Sequence, residues 1–405
     1  MNLPTRMGRD FDRLWAAYAI SALGTWLALD AFPLIAIYVL HVNAAQVSII
    51  AAASGAVGAL LAVPLGPWIE FRPKRRLMIR ADLVRFAALL TVPIVYVAGA
   101  LTYLHLLVVA MIVALADIVF VGASGAHLKA LVPRERLLEA NGSFETVRWI
   151  STAIGPPAGG ALIGVVGPVV TVVANAVSFA LSAAGVRAIS APEPPPPVRT
   201  KAGPAGIGEG WRTIVADRDL RLLFANTVVV NALIMATAPL LTYLMLNDLG
   251  FTPLMYGLAF GVPCLGGIAG ARLSRPLVRR YGQRRVLLGF GAGRAFWLVG
   301  LAFVGSGTAG LVLVMAVEMA MITCIGVFNP ILVTYRLEHT PDDRLARVLT
   351  TWTITTRTAI AAGTALWGVL SAFVGVRTAI AAAGVLAIAA TALLPWRRSR
   401  LAASP

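Results

Sequence analysis

The sequence predicts an all-α membrane protein of twelve transmembrane helices, arranged as two six-helix bundles with both termini in the cytoplasm. Three observations carry this expectation. The chain is 405 residues long, 59% hydrophobic and only 13% charged, with a mean hydropathy of +0.82; a soluble domain runs near ~45–50% apolar and ~25% charged. Its basic residues crowd every second connection between apolar runs. Its two halves also share a pattern of arginines at one fixed offset.

The composition argues against a soluble enzyme, a disordered chain and a nucleic-acid-binding domain. The net charge of +16, from 34 Lys and Arg against 18 Asp and Glu, would suit a nucleic-acid partner only if it clustered on a polar surface. Membrane proteins instead collect Lys and Arg in cytoplasmic loops. Cys264 and Cys324 lie in apolar runs without metal spacing, and His41, His105, His127 and His339 are scattered. No metal site and no cofactor are expected from them. The first apolar run is too long for the core of a cleavable signal peptide.

Apolar segments fall at 14–40, 44–69, 77–99, 104–128, 142–165, 168–190, 220–247, 253–278, 286–305, 309–335, 348–371 and 375–395, each near the ~20 residues that a spanning helix needs. The connections after the odd-numbered segments are short and nearly uncharged, as at 41–43, 166–167 and 306–308. Those after the even-numbered ones hold Arg72, Lys74, Arg75 and Arg76, then Arg134 and Arg136, then Arg279, Arg280, Arg284 and Arg285. Both ends of the chain are basic as well. The positive-inside rule places these connections and both termini in the cytoplasm, and termini on one side require an even number of spans.

The domains follow as a bundle over 1–190, a cytoplasmic linker over 191–219 and a second bundle over 220–405. Pro194–Pro197 makes the linker a semi-rigid spacer. Arg75, Arg76, Arg85 and Arg148 recur as Arg284, Arg285, Arg294 and Arg357, all at an offset of 209. Parallel repeats related about the membrane normal are a transporter architecture, with the substrate site near the midplane.

Specific motifs sharpen this. Gly66, Glu70, Lys74, Arg75 and Arg76 stand between spans two and three. They resemble the loop signature G-x-x-x-D-R-x-G-R-[RK] of the major facilitator superfamily, with Glu70, Phe71 and Pro73 as departures. A degenerate second copy, Tyr281–Arg285, follows span eight. Span five carries Gly142, Ser151, Gly155, Pro156, Gly159 and Gly160. This spacing resembles that family's antiporter motif, with Ser151 in place of one glycine. Small residues at helical spacing let two backbones approach, and proline permits a bend. The loops Ala130–Asn141 and Thr334–Val348 are similar to those of the macrolide-efflux and enterobactin-exporter branch. The resemblance covers about residues 10–395. It implies the major facilitator fold, a cavity lined by spans one, four, seven and ten, and a latching role for Glu70.

Ionisable residues deep in a span are functional candidates because burying charge in a bilayer is costly. Asp30, Asp117 and Glu318 sit in spans one, four and ten and are the proton-coupling candidates. Rise arithmetic puts the first two roughly 15–20 Å below the outer face and Glu318 about 10 Å in. A structural ion pair is the competing role for each. Glu145 and Arg148 can pair on one face of span five. Arg357 has no acid three or four residues away, so Glu318 is its expected partner. Arg85 and Arg294 sit near span ends, where long side chains snorkel, and Asp82 is expected beside Arg80 or Arg85. Trp26, Phe120, Asn231, Tyr243 and Phe328 are the substrate-cavity candidates.

No Walker loop or nucleophile elbow is present, and the chain is not expected to be an enzyme. The function these features predict is proton-coupled export of an amphiphilic small molecule across a bacterial cytoplasmic (inner) membrane. Membrane lipids, the substrate and protons are the partners, the proton gradient is the energy source, and the chain is expected to be a monomer. An uptake symporter, a lipid transporter and a non-transporting receptor are the alternatives.

Overall fold

Every regular element is helical among the described residues of this computed structural model, which are 8–28, 31–133, 136–193, 207–340 and 342–396. The chain forms two compact units. Unit 1 takes Met1–Val42, Val57–Thr200 and Thr252–Gly257, and unit 2 takes Asn43–Ala56, Lys201–Phe251 and Leu258–Pro405. Two short segments, 43–56 and 252–257, thus group with the opposite sequence half.

The helices of the first half are α1 (Arg9–Leu27), α2 (Ala31–Tyr38), α3 (Ala44–Glu70), α4 (Lys74–Val97), α5 (Tyr103–Leu131), α6 (Leu137–Val166) and α7 (Pro168–Arg187). The expected first span is therefore two helices, α1 and α2. In unit 1, α4 packs on α5 and α7, and α1 packs on α6 and α7. Its core includes Leu14, Met78, Phe120, Ala123 and Val186. One residue, Gly167, joins α6 to α7 at φ 83°, a left-handed conformation that glycine adopts without strain. Gly375, which joins α14 to α15, also has φ 83°.

The second half holds α8 (Ile207–Ala216), α9 (Arg218–Tyr243), α10 (Pro253–Gly261), α11 (Cys264–Tyr281), α12 (Gln283–Phe296), α13 (Gly307–Glu338), α14 (Asp342–Val374) and α15 (Val376–Ala389). Within unit 2, α11 and α12 pack on α13, and α9 packs on α14 and α15. Asp217 caps α9 by accepting from the Leu220 N–H at 2.7 Å.

The stretch read as a plain linker contains α8, which lies on α14 and α9. Ile214 is fully buried, and Trp211 meets the ring of Phe224 edge-on at 5.3 Å. Trp211 and Ile214 stand three apart on one helical face, which is the amphipathic signal that marks the element.

Among the described residues, ten helical stretches are long and apolar enough to cross a membrane, and they coincide with expected spans one and four to twelve. Span two contributes the shorter apolar stretch Ala44–Gly58. Span three is α4, whose first three turns hold Lys74, Arg75, Arg76, Arg80, Asp82 and Arg85.

Candidate functional site

Arg85 and Arg294, expected to snorkel toward the membrane surface, do not. Arg85 is 1% exposed and Arg294 is 0% exposed. Each guanidinium is held inside its own unit, because nearby helices supply both hydrogen-bond acceptors and aromatic faces.

In unit 1, Arg85 of α4 pairs with Asp82 one turn back on the same helix. It also reaches Asp117 of α5 at 3.0 Å. The guanidinium carbon lies 4.1 Å from the Phe179 ring centroid and 4.6 Å from that of Phe120, within cation–π range. Asp82 therefore pairs with Arg85, as one of its two expected partners. Burying an arginine without a counterion is costly, and Asp82, itself fully buried, supplies one. Asp117 is a second carboxylate on the same cation, and its side chain is 52% exposed. Among the described residues, the cluster thus holds one more acid than base, and the surplus acid is the accessible one.

In unit 2, Arg294 of α12 donates to the Asn226 side-chain oxygen at 2.9 Å and to that of Asn231 at 3.1 Å, both on α9. Its guanidinium carbon lies 4.0 Å from the Phe328 ring centroid. Asn226 in turn donates to the Ala390 carbonyl at 2.9 Å. No carboxylate pairs with Arg294 among the described residues. Phe120 and Phe328, read from sequence as cavity-facing, are 2% and 0% exposed. They serve as the aromatic faces of the two arginine clusters and present no surface to a substrate here.

The glycine motif of α6 lies in unit 1 where backbones meet. A Cβ placed on Gly155 would fall on the Cβ of Trp26, and one on Gly159 would overlap the Leu27 carbonyl oxygen. A Cβ on Gly160 would overlap the Pro253 carbonyl oxygen, and one on Gly257 would overlap that of Pro156. The motif therefore sets α6 directly against the end of α1 and the start of α10, as small residues permit. Pro156 and Pro157 both lie inside α6. Ser151 is fully buried, and its hydroxyl has no hydrogen-bond partner among the described residues.

At the loop after α3, the Glu193 carboxylate accepts from the backbone N–H of Lys74 and from that of Arg75, the latter at 3.2 Å. It thereby caps α4. Arg75 donates to the Arg187 carbonyl at the end of α7, and its repeat partner Arg284 donates to the Pro395 carbonyl. Arg76 is exposed. Lys74 donates to the Arg72 carbonyl at 2.6 Å.

The expected Glu318–Arg357 pair is not formed. Glu318 is 7% exposed inside α13, whereas Arg357 stands exposed on α14, and no ion pair joins them. Position along the repeat told nothing of which way each side chain points. Tyr243 accepts from Asn247 at 3.1 Å at the end of α9, and Trp26 is half-buried against α6. Arg148 is exposed on α6. Asp30 lies outside the described residues, as do the side chains of Glu70 and Glu145 and the surroundings of Gly66 and Gly142. Sequence reasoning missed Phe179, whose position has no pattern to mark it.

The family model described as Major Facilitator Superfamily matches residues 14–325 and, in a second and overlapping match, 223–404. The chain is similar to the multidrug efflux pump Tap of Mycobacterium tuberculosis (strain ATCC 25618 / H37Rv) and of Mycobacterium bovis (strain BCG / Pasteur 1173P2). Each is 27% identical over 264 residues, or 63% of this chain. The match spans 62% of the length of those curated relatives. Among solved structures, the nucleoside transporter NupG aligns at a TM-score of 0.70 with 15% identity, over 96% of this chain and 100% of that one. A bacterial homologue of the iron transporter ferroportin aligns at 0.72 with 18% identity, over 96% and 99%. At these identities the likeness is one of fold.

Proposed function

The chain belongs to the major facilitator superfamily, and from that premise we propose that it is a secondary active transporter exporting an amphiphilic small molecule in exchange for protons. The observation that carries the coupling half of this reading is the surplus acid of the Arg85 cluster. When Asp117 takes a proton, Arg85 keeps Asp82 as its counterion, so the protonation state can change without stranding a buried cation. When Asp117 is ionised, the same cluster presents a net negative charge at the accessible edge of unit 1. Proton binding then alters what that edge attracts, which is the differential interaction a coupled transporter requires.

The direction rests on the close backbone seating of the α6 glycine motif, which resembles an antiporter signature, and on the efflux activity named for the relatives. In this reading the chain crosses a bacterial cytoplasmic membrane twelve times, with both termini in the cytoplasm.

The test is accumulation of a fluorescent amphiphile in inverted membrane vesicles with an imposed proton gradient. The wild-type chain is expected to accumulate the probe and to lose accumulation when the gradient is collapsed. Asp117→Asn is expected to be unresponsive to the gradient. Undiminished accumulation after collapse, or a normal gradient response in Asp117→Asn, overturns the coupling role.

A further inference from the structure

Unit 1 carries a charged stripe that neither the arginine cluster nor the glycine motif uses. On α4, Arg76 and Arg80 stand about one helical turn apart. Both are exposed, and neither makes a hydrogen bond or ion pair with a described residue. The same face continues along the helix as Leu83, Val84, Ala87 and Ile94, all exposed, with Leu83 48%, Val84 47% and Ile94 65% exposed. These positions repeat at helical spacing from Arg76 and make one straight track. From Arg80 the ten residues down to position 90 rise roughly 15 Å, the depth of one leaflet's hydrocarbon.

At Arg76 lies an open recess of about 440 Å³, lined by Pro73, Arg75, Arg76, Ile79 and Glu193. Glu193 is engaged with the backbone N–H groups that begin α4, and Arg75 is tied to the Arg187 carbonyl. The recess therefore has a fixed wall, and Arg76 remains its unengaged cation among the described residues. At the same end, Arg72 lies over the exposed Trp68 ring at 4.4 Å, an aromatic placement typical of the membrane–water interface.

We propose that this face of α4 binds an anionic phospholipid, with its phosphate between Arg76 and Arg80, its headgroup in the recess and an acyl chain along Leu83, Val84 and Ala87. Charges that serve only to orient the chain need no recess and no apolar track beneath them. The repeat supplies an internal contrast. Arg76 has an exposed counterpart in Arg285, but the counterpart of Arg80 is Gly289, so the repeat-related position on α12 lacks the second guanidinium. The inference depends on this end of α4 lying at the membrane surface and is independent of what the chain transports.

The experiment is lipid retention by the purified full chain, read by native mass spectrometry with phosphatidylglycerol, phosphatidylcholine and glycerol phosphate as probes. Phosphatidylglycerol is expected to bind, and phosphatidylcholine and glycerol phosphate are not. Binding of glycerol phosphate at comparable strength would identify a free-phosphate site and overturn the lipid assignment. R76Q/R80Q is expected to weaken phosphatidylglycerol binding roughly 25-fold, from the usual contribution of two basic residues at an anionic surface. R80Q alone is expected to weaken it about 5-fold and serves as the readout should the double variant not fold. The charge-matched pair R275Q/R279Q on α11 is expected to leave binding unchanged. Equal loss in that pair, unchanged binding in R76Q/R80Q, or equal binding of phosphatidylcholine overturns the proposal.

Discussion

Replacing Gly159 by alanine adds one methyl group where α6 meets α1. The ideal Cβ lies 2.9 Å from the Leu27 carbonyl carbon and 3.1 Å from its Cα, and it overlaps the carbonyl oxygen itself. A carbon and a carbonyl oxygen normally stay about 3.3 Å or more apart, so the two helices must part by about 1 Å. The obstruction is backbone, and no rotamer can relieve it. Overpacking of this kind costs ~1–3 kcal/mol, set against a gain of up to ~1 kcal/mol because alanine favours helix over glycine. The expected net loss is about 1–2 kcal/mol. Gly164, five residues along the same helix, has nothing within 4 Å of its ideal Cβ. Gly164→Ala should therefore be neutral or stabilising by up to ~1 kcal/mol. Thermal unfolding of both variants in detergent, followed by circular dichroism, separates the two cases. Export of the vesicle probe should fall in Gly159→Ala and stay at the wild-type level in Gly164→Ala. Equal stability in the two variants would refute the close-packing account of the motif.

Two further expectations use the same unfolding assay. Asp82→Asn removes the fully buried counterion of Arg85 and should destabilise by ~3–5 kcal/mol. Asp117→Asn acts on a half-exposed pair and should cost about 1 kcal/mol or less; similar losses in the two would show that the cluster is not divided as described. Ser151→Ala removes a buried hydroxyl that has no partner, so stability should hold or rise by about 1 kcal/mol, and a loss above that size would mean the hydroxyl is bonded.

Hydrophobic runs and their charged flanks made most helices legible, because a bilayer demands a long apolar helix and leaves few other solutions. The arginine repeat was equally visible, and burial bears it out pair by pair. Arg76 and Arg285 are exposed, Arg148 and Arg357 are exposed, and Arg85 and Arg294 are buried. What the sequence hid was direction around each helix. Phe120 and Phe328 were assigned to a cavity because they lie on expected cavity-lining spans, yet each points inward at its own unit's arginine. Glu318 and Arg357 failed to meet for the same reason. Amphipathic patterning resolves such cases on a soluble helix, where one face must be polar. A helix apolar on every side gives no such cue.

The partners of the two buried arginines reveal how far the halves have diverged. Along the offset of 209, Asp82 corresponds to Gly291 and Asp117 to Gly326. Neither glycine position could take a carboxylate without rearrangement. A Cβ on Gly291 would stand 3.0 Å from the Phe328 ring and 3.3 Å from Leu394, and one on Gly326 would stand 2.5 Å from the Gly267 carbonyl oxygen. Unit 2 instead draws its acceptors from α9, at Asn226 and Asn231, whose first-half counterparts are Ala17 and Ala22. The shared arginine position has thus kept its burial and its aromatic face while its acceptors moved to another helix and lost their charge. Amides do not titrate near neutral pH, so the charge state of the Arg294 cluster is fixed. In the proposed coupling, that of the Arg85 cluster changes by one proton through Asp117. Under the proposed function, the same buried arginine is therefore a static anchor in unit 2 and the centre of the titrating group in unit 1. An acid placed beside Arg294 at the positions that correspond to Asp82 and Asp117 would meet the close packing of Gly291 and Gly326, whereas α9 already presents polar side chains to it.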